Sequence, residues 1–135
     1  MSESPILVAG FGFRRGASLA SLHAALAQHG AANITHLATA DDKAEGLAPL
    51  AHALGLPLLA IGAQALAAMP TQTRSATSLA ARGTGSLAEA AALAGARMLS
   101  PNASLPPSLI APRRLSPDRR ATCALALASP QGSLA

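Results

Sequence analysis

The segment that most constrains this chain is residues 5–16, PILVAGFGFRRG. Its apolar run leads into spaced glycines and two arginines, and leucines follow at helical spacing from Leu19. This order predicts a strand, a tight glycine-rich loop and the start of a helix. Such a loop directs backbone N–H groups and the positive end of a helix dipole toward one point. With the guanidinium groups of Arg14 and Arg15 beside it, that point should attract a carboxylate or a phosphate.

Composition narrows the class of protein. A chain of 135 residues, half of them hydrophobic, is large enough for one domain with a real core. With two phenylalanines, no tryptophan and no tyrosine, that core must be aliphatic and rich in alanine. No apolar run approaches the length of a membrane span, and the start MSESPILVAG does not resemble a signal peptide. The single cysteine excludes an internal disulfide, and we expect a cytoplasmic protein.

The charge balance bears on the kind of ligand. Ten basic residues against six acidic ones give a formal net charge of +4, which favours nucleic acid or an acidic small molecule. The sequence has no basic helix and no aromatic platform for stacking bases, so we expect no nucleic acid. The four histidines are scattered singly and no zinc-type spacing occurs, so we expect no metal site and no cofactor.

The order of elements predicts an α/β fold. Strands are expected at 6–11, 34–40 and 57–61, with a further candidate at 97–100. Helices are expected at 18–29, around 47–54 ending at Gly55, at 63–69, and from a capping box at Ser86 to Gly95. Residues 70–85 suggest an exposed loop, and residues 108–114 and 121–128 an antiparallel hairpin with Pro112 on an edge strand. We therefore predict a three-layer α/β sandwich, mainly parallel with a C-terminal antiparallel hairpin, as one domain over 1–128 followed by a flexible tail at 129–135.

Polar groups follow the first two strands at what should be one edge of the sheet. Ligands bind outside the carboxyl ends of the strands in open parallel sheets, so the two loops should share a site. Thr39 offers a hydroxyl, Asp41 an acceptor or base and Lys43 a charge, although an acid here equally suits a helix cap. Gly85 and Ser86 open a later helix and would supply a second anion-binding N-terminus, with Glu89 either a capping residue or a functional acid.

Two further features leave alternatives open. The glycines fall in the pattern Gly10-x-Gly12-x-x-x-Gly16, which is one residue longer than the fingerprint of NAD- or FAD-binding loops, and the GK[ST] of a phosphate-binding P-loop is absent. The alternative is a glycine-rich turn that only links a strand to a helix. The C-terminal arginines either flank a solvated hairpin turn or extend an anion-binding rim: Arg113, Arg114, Arg119 and Arg120.

The three motifs together resemble one family, that of the cobalamin-biosynthesis protein CobE and the C-terminal domain of CbiG. The family carries a G-[IC]-G-C-R-[RK]-G segment, here residues 10–16, and an A-[ST]-x-D-x-K-x-[DE] segment, here residues 38–45. It also carries G-x-x-x-V-A-E-A-A-A-L on a late helix, here residues 83–93, with LGLPL at 54–58 between them. The match covers about residues 5 to 128. The family's cysteine before the arginine pair is Phe13 here, so no thiol mechanism carries over.

The resemblance implies a role in making the corrin ring. It implies binding of a carboxylate-rich precorrin intermediate, with lactone opening or a carrier role as the step, and contact with other enzymes of the pathway. The ligand-binding residues expected are Gly12, Arg14, Arg15, Gly16, Thr39, Asp41, Lys43, Gly85 and Ser86. If the protein is an enzyme, Asp41 or Glu89 is the candidate general base. The alternatives are a non-catalytic partner module for a pathway methyltransferase and a generic phosphate or nucleotide binder.

Overall fold

The computed structural model describes residues 5–30, 33–71, 86–101 and 105–128. Within these ranges the strands are β1 (Ile6–Phe13), β2 (His36–Ala40), β3 (Leu58–Ile61), β4 (Ser108–Leu115) and β5 (Ala121–Ala128). The helices are α1 (Leu19–Ala27), α2 (Ala44–Leu54), α3 (Ala63–Ala67) and α4 (Leu87–Leu99), and a single 3-10 turn at Asp41–Lys43 precedes α2. The predicted loop at 70–85 falls almost entirely outside the described residues, as does the tail at 129–135.

Local chemistry explains where the helices begin and end. The Ser18 side chain caps α1 by accepting a hydrogen bond from the Ser21 backbone N–H at 3.1 Å. Ser86 caps α4 in the same way, by accepting from the Glu89 N–H at 3.3 Å. Gly55 ends α2 in the left-handed conformation at φ 68°, which glycine adopts without steric penalty. These three boundaries are those that the sequence predicts.

The five strands form one sheet in the order β3-β2-β1-β5-β4. Strands β1, β2 and β3 are parallel, and the β4–β5 hairpin adds antiparallel to β1. Pro112 lies on β4, an edge strand whose register shifts twice against β5. The three-layer α/β sandwich with a C-terminal hairpin is thus confirmed.

One face of the sheet is covered by α1 and α2. Its core is built from bulky side chains, Phe11 from β1 and the leucines Leu22, Leu37, Leu47 and Leu50. The two helices leave a cleft of about 410 Å³ between them. Its lining is mostly apolar, and comprises Leu19, Ala20, His23, Ala24, Leu50 and Ala53.

The other face is covered by α3 and α4 and is built from small residues. Every residue from Leu87 to Ala96 is buried, and most of them are alanines. A Cβ placed at Gly10 would lie 2.2 Å from the Ala88 carbonyl oxygen and 2.4 Å from the Ala92 N. Because those obstacles are backbone atoms, β1 and α4 can approach this closely only where residue 10 is glycine.

Three predictions of local structure were wrong. Gly95 does not end the last helix, which continues to Leu99, and the predicted strand at 97–100 is the final helical turn together with its C-cap, Ser100. A Cβ at Gly95 would meet Leu59 and Val8 at 3.1 Å, so this glycine serves close packing rather than helix termination. Gly12 lies within β1, which continues to Phe13 instead of ending at residue 11, and the following loop retains Gly16 with φ 83°.

Candidate functional site

The carboxyl ends of β1 and β2 meet the start of α4 at one edge of the sheet. A Cβ at Gly12 would lie 3.4 Å from Leu87 Cβ and 3.6 Å from the Ala88 N, which places β1 directly against the first turn of α4. The Thr39 hydroxyl donates to the Phe11 carbonyl oxygen at 2.8 Å and joins β2 to β1 at the same level. This edge, called the rim below, is defined by residues 12–18, 39–43 and 86–89.

Residues 14–16, called the arginine loop below, form one part of the rim. Arg14, Arg15 and Gly16 are all exposed. The Ala17 N–H donates to the Arg14 carbonyl oxygen at 3.0 Å, which closes a tight turn around the exposed pair. Both guanidinium groups therefore project from a constrained turn immediately before the capped N-terminus of α1.

Lys43 is held against the end of β1. Its Nζ donates to the Phe13 carbonyl oxygen at 2.7 Å and lies 4.9 Å from the centroid of the Phe13 ring. The ring also packs on Gly46, where a Cβ would lie 2.7 Å from the ring. Lysine, ring and glycine thus fix the last residue of β1, and with it the start of the arginine loop.

Thr39 and Asp41 are the other two groups predicted for the site at the end of β2, and they differ in exposure. Thr39 is fully buried and its hydroxyl is engaged within the sheet, whereas Asp41 is exposed at the start of the 3-10 turn. Only Asp41 of this pair presents its side chain to solvent at the rim. Its placement agrees with both roles left open by the sequence, an acid at a helix start and an acceptor for a ligand.

Glu89 and Ser86 are buried beneath the rim. Ser86 is 1% exposed and Glu89 is 0% exposed. The Glu89 carboxylate accepts a hydrogen bond from the Arg113 backbone N–H at 3.0 Å, so this acid ties α4 to the edge strand β4. Gly85, also predicted for the site, lies outside the described residues.

The turn between β4 and β5, residues 116–120, borders the rim. The Arg14 N–H donates to the Arg120 carbonyl oxygen at 2.9 Å. Asp118 accepts hydrogen bonds from Ser116 Oγ at 2.6 Å, from the Arg120 N–H at 3.1 Å, and from Ser21 Oγ. These bonds, from Ser116 first and Ser21 second, lower the pKa of Asp118 to about 2. The sequence suggests the turn but gives no signal that pairs Asp118 with a serine of α1.

The remaining titratable groups of interest lie away from the rim's solvent-facing edge. His29 Nε2 lies 2.6 Å from the Cys123 carbonyl oxygen, and burial raises the pKa of the Cys123 thiol well above its usual value. Burial lowers the pKa of His36, whose Nδ1 lies 2.8 Å from Thr35 Oγ1.

Across the described residues, no three His, Cys, Asp or Glu side chains are grouped to hold a metal ion. In the same part of the chain, no helix has the length and apolarity to cross a membrane.

Comparison with known proteins supplies the family. The family model described as cobalamin synthesis G C-terminus matches residues 7–126. This chain belongs to that family. It takes part in cobalamin biosynthesis, and both the fold and the ordered motifs agree with that assignment.

Two solved structures from the same pathway resemble the chain over nearly its whole length. The 1.7 Å crystal structure of CobE, a protein of the cobalamin (vitamin B12) biosynthetic pathway, is 32% identical with a TM-score of 0.80, over 96% of this chain and 94% of that one. The cobalamin biosynthesis protein chiG from Agrobacterium tumefaciens str. C58 is 33% identical with a TM-score of 0.64, over 93% of this chain and 100% of that one. A search of curated proteins gave no significant match.

Proposed function

We propose that this protein binds a carboxylate-rich precorrin intermediate at the rim. The observation that carries the proposal is the exposed Arg14–Arg15 pair, set in a constrained turn between the end of β1 and the capped start of α1. Precorrins carry acetate and propionate groups around a macrocycle. Planar guanidinium groups pair with carboxylates through two parallel hydrogen bonds, which fix orientation as well as adding affinity.

The other predicted residues fall into two roles under this proposal. Gly16 adopts φ 83° and shapes the arginine loop, and Asp41 is the exposed acid available to a ligand. Thr39 and Lys43 are positioning residues, because their hydrogen bonds to Phe11 and Phe13 hold the end of β1 in place. Ser86 and Gly12 bring the start of α4 to the same edge.

The burial of Glu89 favours a carrier or partner module over an enzyme. A general base must reach the proton it removes, and this carboxylate is fully buried and accepts a hydrogen bond from Arg113 N–H. Asp41 is therefore the remaining candidate base if the protein assists lactone opening. We therefore rank delivery of an unaltered ligand to a pathway enzyme, such as a methyltransferase, ahead of lactone opening as the form that this binding function takes.

The test is a titration with hydrogenobyrinic acid, followed by visible absorbance. We expect the wild-type protein to perturb the macrocycle spectrum and the R14A/R15A variant to lose the effect. Arg97→Ala is the matched control, because Arg97 is exposed in the last turn of α4, at the end of that helix away from the rim. Equal affinity in R14A/R15A and wild type would contradict the proposed site.

Two further measurements separate the alternatives. Mass spectrometry of a precorrin after incubation distinguishes chemistry from carriage, and Asp41→Asn should abolish any conversion if Asp41 is the base. Thermal stabilisation by phosphate, ATP or NAD, with none by hydrogenobyrinic acid, would favour a generic phosphate binder instead.

A further inference from the structure

The turn at residues 116–120 brings two more arginines to the rim. Antiparallel pairing aligns Phe13 with Ala121, and the Arg14 N–H to Arg120 carbonyl bond continues that pairing past the end of β1. Arg119 and Arg120 are both exposed, as are Arg14 and Arg15. Two segments far apart in sequence therefore present four guanidinium groups around one end of the β1–β5 pair.

The turn is built rigidly. The Ser116 N–H donates to the Ala121 carbonyl oxygen at 2.8 Å and the Arg119 N–H donates to the Ser116 carbonyl oxygen at 2.9 Å. Ser116 Oγ accepts from the Ala121 N–H at 3.2 Å while donating to Asp118. A turn held in this way adds no backbone ordering cost when a ligand binds, so only the arginine side chains have to be immobilised.

The backbone conformation at Arg119 is not one that favours arginine. Arg119 has φ 63°, in the left-handed region that glycine and asparagine adopt far more readily. Glycine would therefore suit the backbone better than arginine. An unfavourable residue at a position of this kind points to a functional use of the side chain.

Local acids offset this arginine group only in part, because Asp118 interacts electrostatically with Arg120 but with no other arginine of the group. Asp118 is the acid of the turn, and its two oxygens accept hydrogen bonds from Ser116, Ser21 and the Arg120 N–H. Among the residues that the structure describes, the four guanidinium groups form no ion pair with a carboxylate. The surface is thus an assembled cationic patch within a chain whose net charge is +4.

We infer that Arg119 and Arg120 are part of the ligand-binding surface, and that the surface engages several carboxylates of one ligand at once. This inference rests on the proposed function and narrows it. The ligand class is a polycarboxylate broad enough to contact both the arginine loop and the turn, as a macrocycle with peripheral acid groups is. A ligand with a single acid group would use the arginine loop alone.

The test uses Arg119→Gly in the full chain. This substitution removes one guanidinium and relieves the left-handed strain, so the variant should melt at the wild-type temperature or above it. We expect its affinity for hydrogenobyrinic acid to fall by about fivefold, the effect of one charge-assisted contact. Arg119→Lys should lose less than Arg119→Gly, and the charge-matched control Arg97→Gln should stay within about twofold of wild type.

The outcomes separate this inference from the proposed function. Wild-type affinity in Arg119→Gly, together with loss of binding in R14A/R15A, would overturn the inference and leave the proposed function standing. If Arg97→Gln lost as much affinity as Arg119→Gly, the inference would also be overturned, because the effect would then reflect the net charge of the protein rather than the position of Arg119. Absence of any binding by the wild-type protein would overturn the proposed function and this inference with it.

Discussion

The two faces of the sheet are packed with side chains of different size. On the α4 face, alanines and glycines let a helix lie almost directly on β1, and every residue from Leu87 to Ala96 is buried. On the α1–α2 face, leucines and Phe11 fill a wider space and leave an open cleft. An atom added on the first face would collide with its neighbours, whereas an atom removed from the second face would leave a cavity in the core. The two faces should therefore fail under opposite kinds of substitution.

The contrast also explains why the rim is assembled where it is. Close approach of α4 to β1 brings Ser86 and the first turn of α4 beside Gly12. On the other face, α1 is held to the β4–β5 turn by the Ser21–Asp118 hydrogen bond. Close packing thus brings the start of α4 to this edge, and a hydrogen bond ties α1 to the turn that borders the same edge.

Gly10→Ala should have the largest effect, because the new Cβ would collide with backbone atoms of α4. We expect a loss of more than about 3 kcal/mol in the free energy of unfolding, measured by urea denaturation. Ala53→Leu is the matched control, since it adds atoms to an exposed position lining the cleft on the opposite face. That control should change stability by no more than about 0.5 kcal/mol. Similar losses in the two variants would remove the distinction between the faces.

Leu22→Ala tests the opposite failure. Leu22 is 1% exposed in the α1–α2 core, so truncation should cost about 2–3 kcal/mol in the free energy of unfolding. Leu19→Ala on the same helix should cost less than about 0.5 kcal/mol, because Leu19 is 45% exposed. Urea denaturation of both variants measures the contrast. A Leu22→Ala loss no larger than that of Leu19→Ala would show that this face does not depend on its bulky side chains.

Asp118→Asn should produce the smallest effect and one that depends on pH. The folded state lowers the pKa of Asp118 from 3.8 to about 2, so the charged carboxylate stabilises the fold above about pH 4. That contribution should disappear as the pH falls through about 2. Thermal melts between pH 6 and pH 2 should show wild type above the variant at high pH and the gap closing in acid. A gap of constant size across that range would contradict the assignment.

The sequence predicts this fold well where the signals are local. Ser18, Ser86 and Gly55 mark helix ends through hydrogen bonding and backbone conformation that depend on the residue itself. The apolar runs likewise predict each strand of the sheet apart from the false one at 97–100. The error at Gly95 has a clear cause, because a glycine that ends a helix and a glycine that packs against a strand look identical in one sequence.

The candidate site is less predictable because it depends on contacts between distant residues. The motifs predict that Arg14, Thr39 and Lys43 lie near one edge, but not that Thr39 and Lys43 donate to carbonyl groups of β1. The bond from Ser21 to Asp118 could not be predicted, because the two residues lie 97 positions apart in the sequence. Sequence patterns locate the edge, whereas tertiary contacts decide which side chains there are exposed.

The edge strands β3 and β4 affect how readily molecules could pair strand to strand at high concentration. β3 has only four residues, and β4 carries Pro112 and is interrupted by two register irregularities against β5. A neighbouring molecule that tried to extend the sheet would find a short template on one side and an uneven one, lacking a donor at the proline, on the other. The chain is in this way protected against strand-by-strand polymerisation, even though half of its residues are hydrophobic.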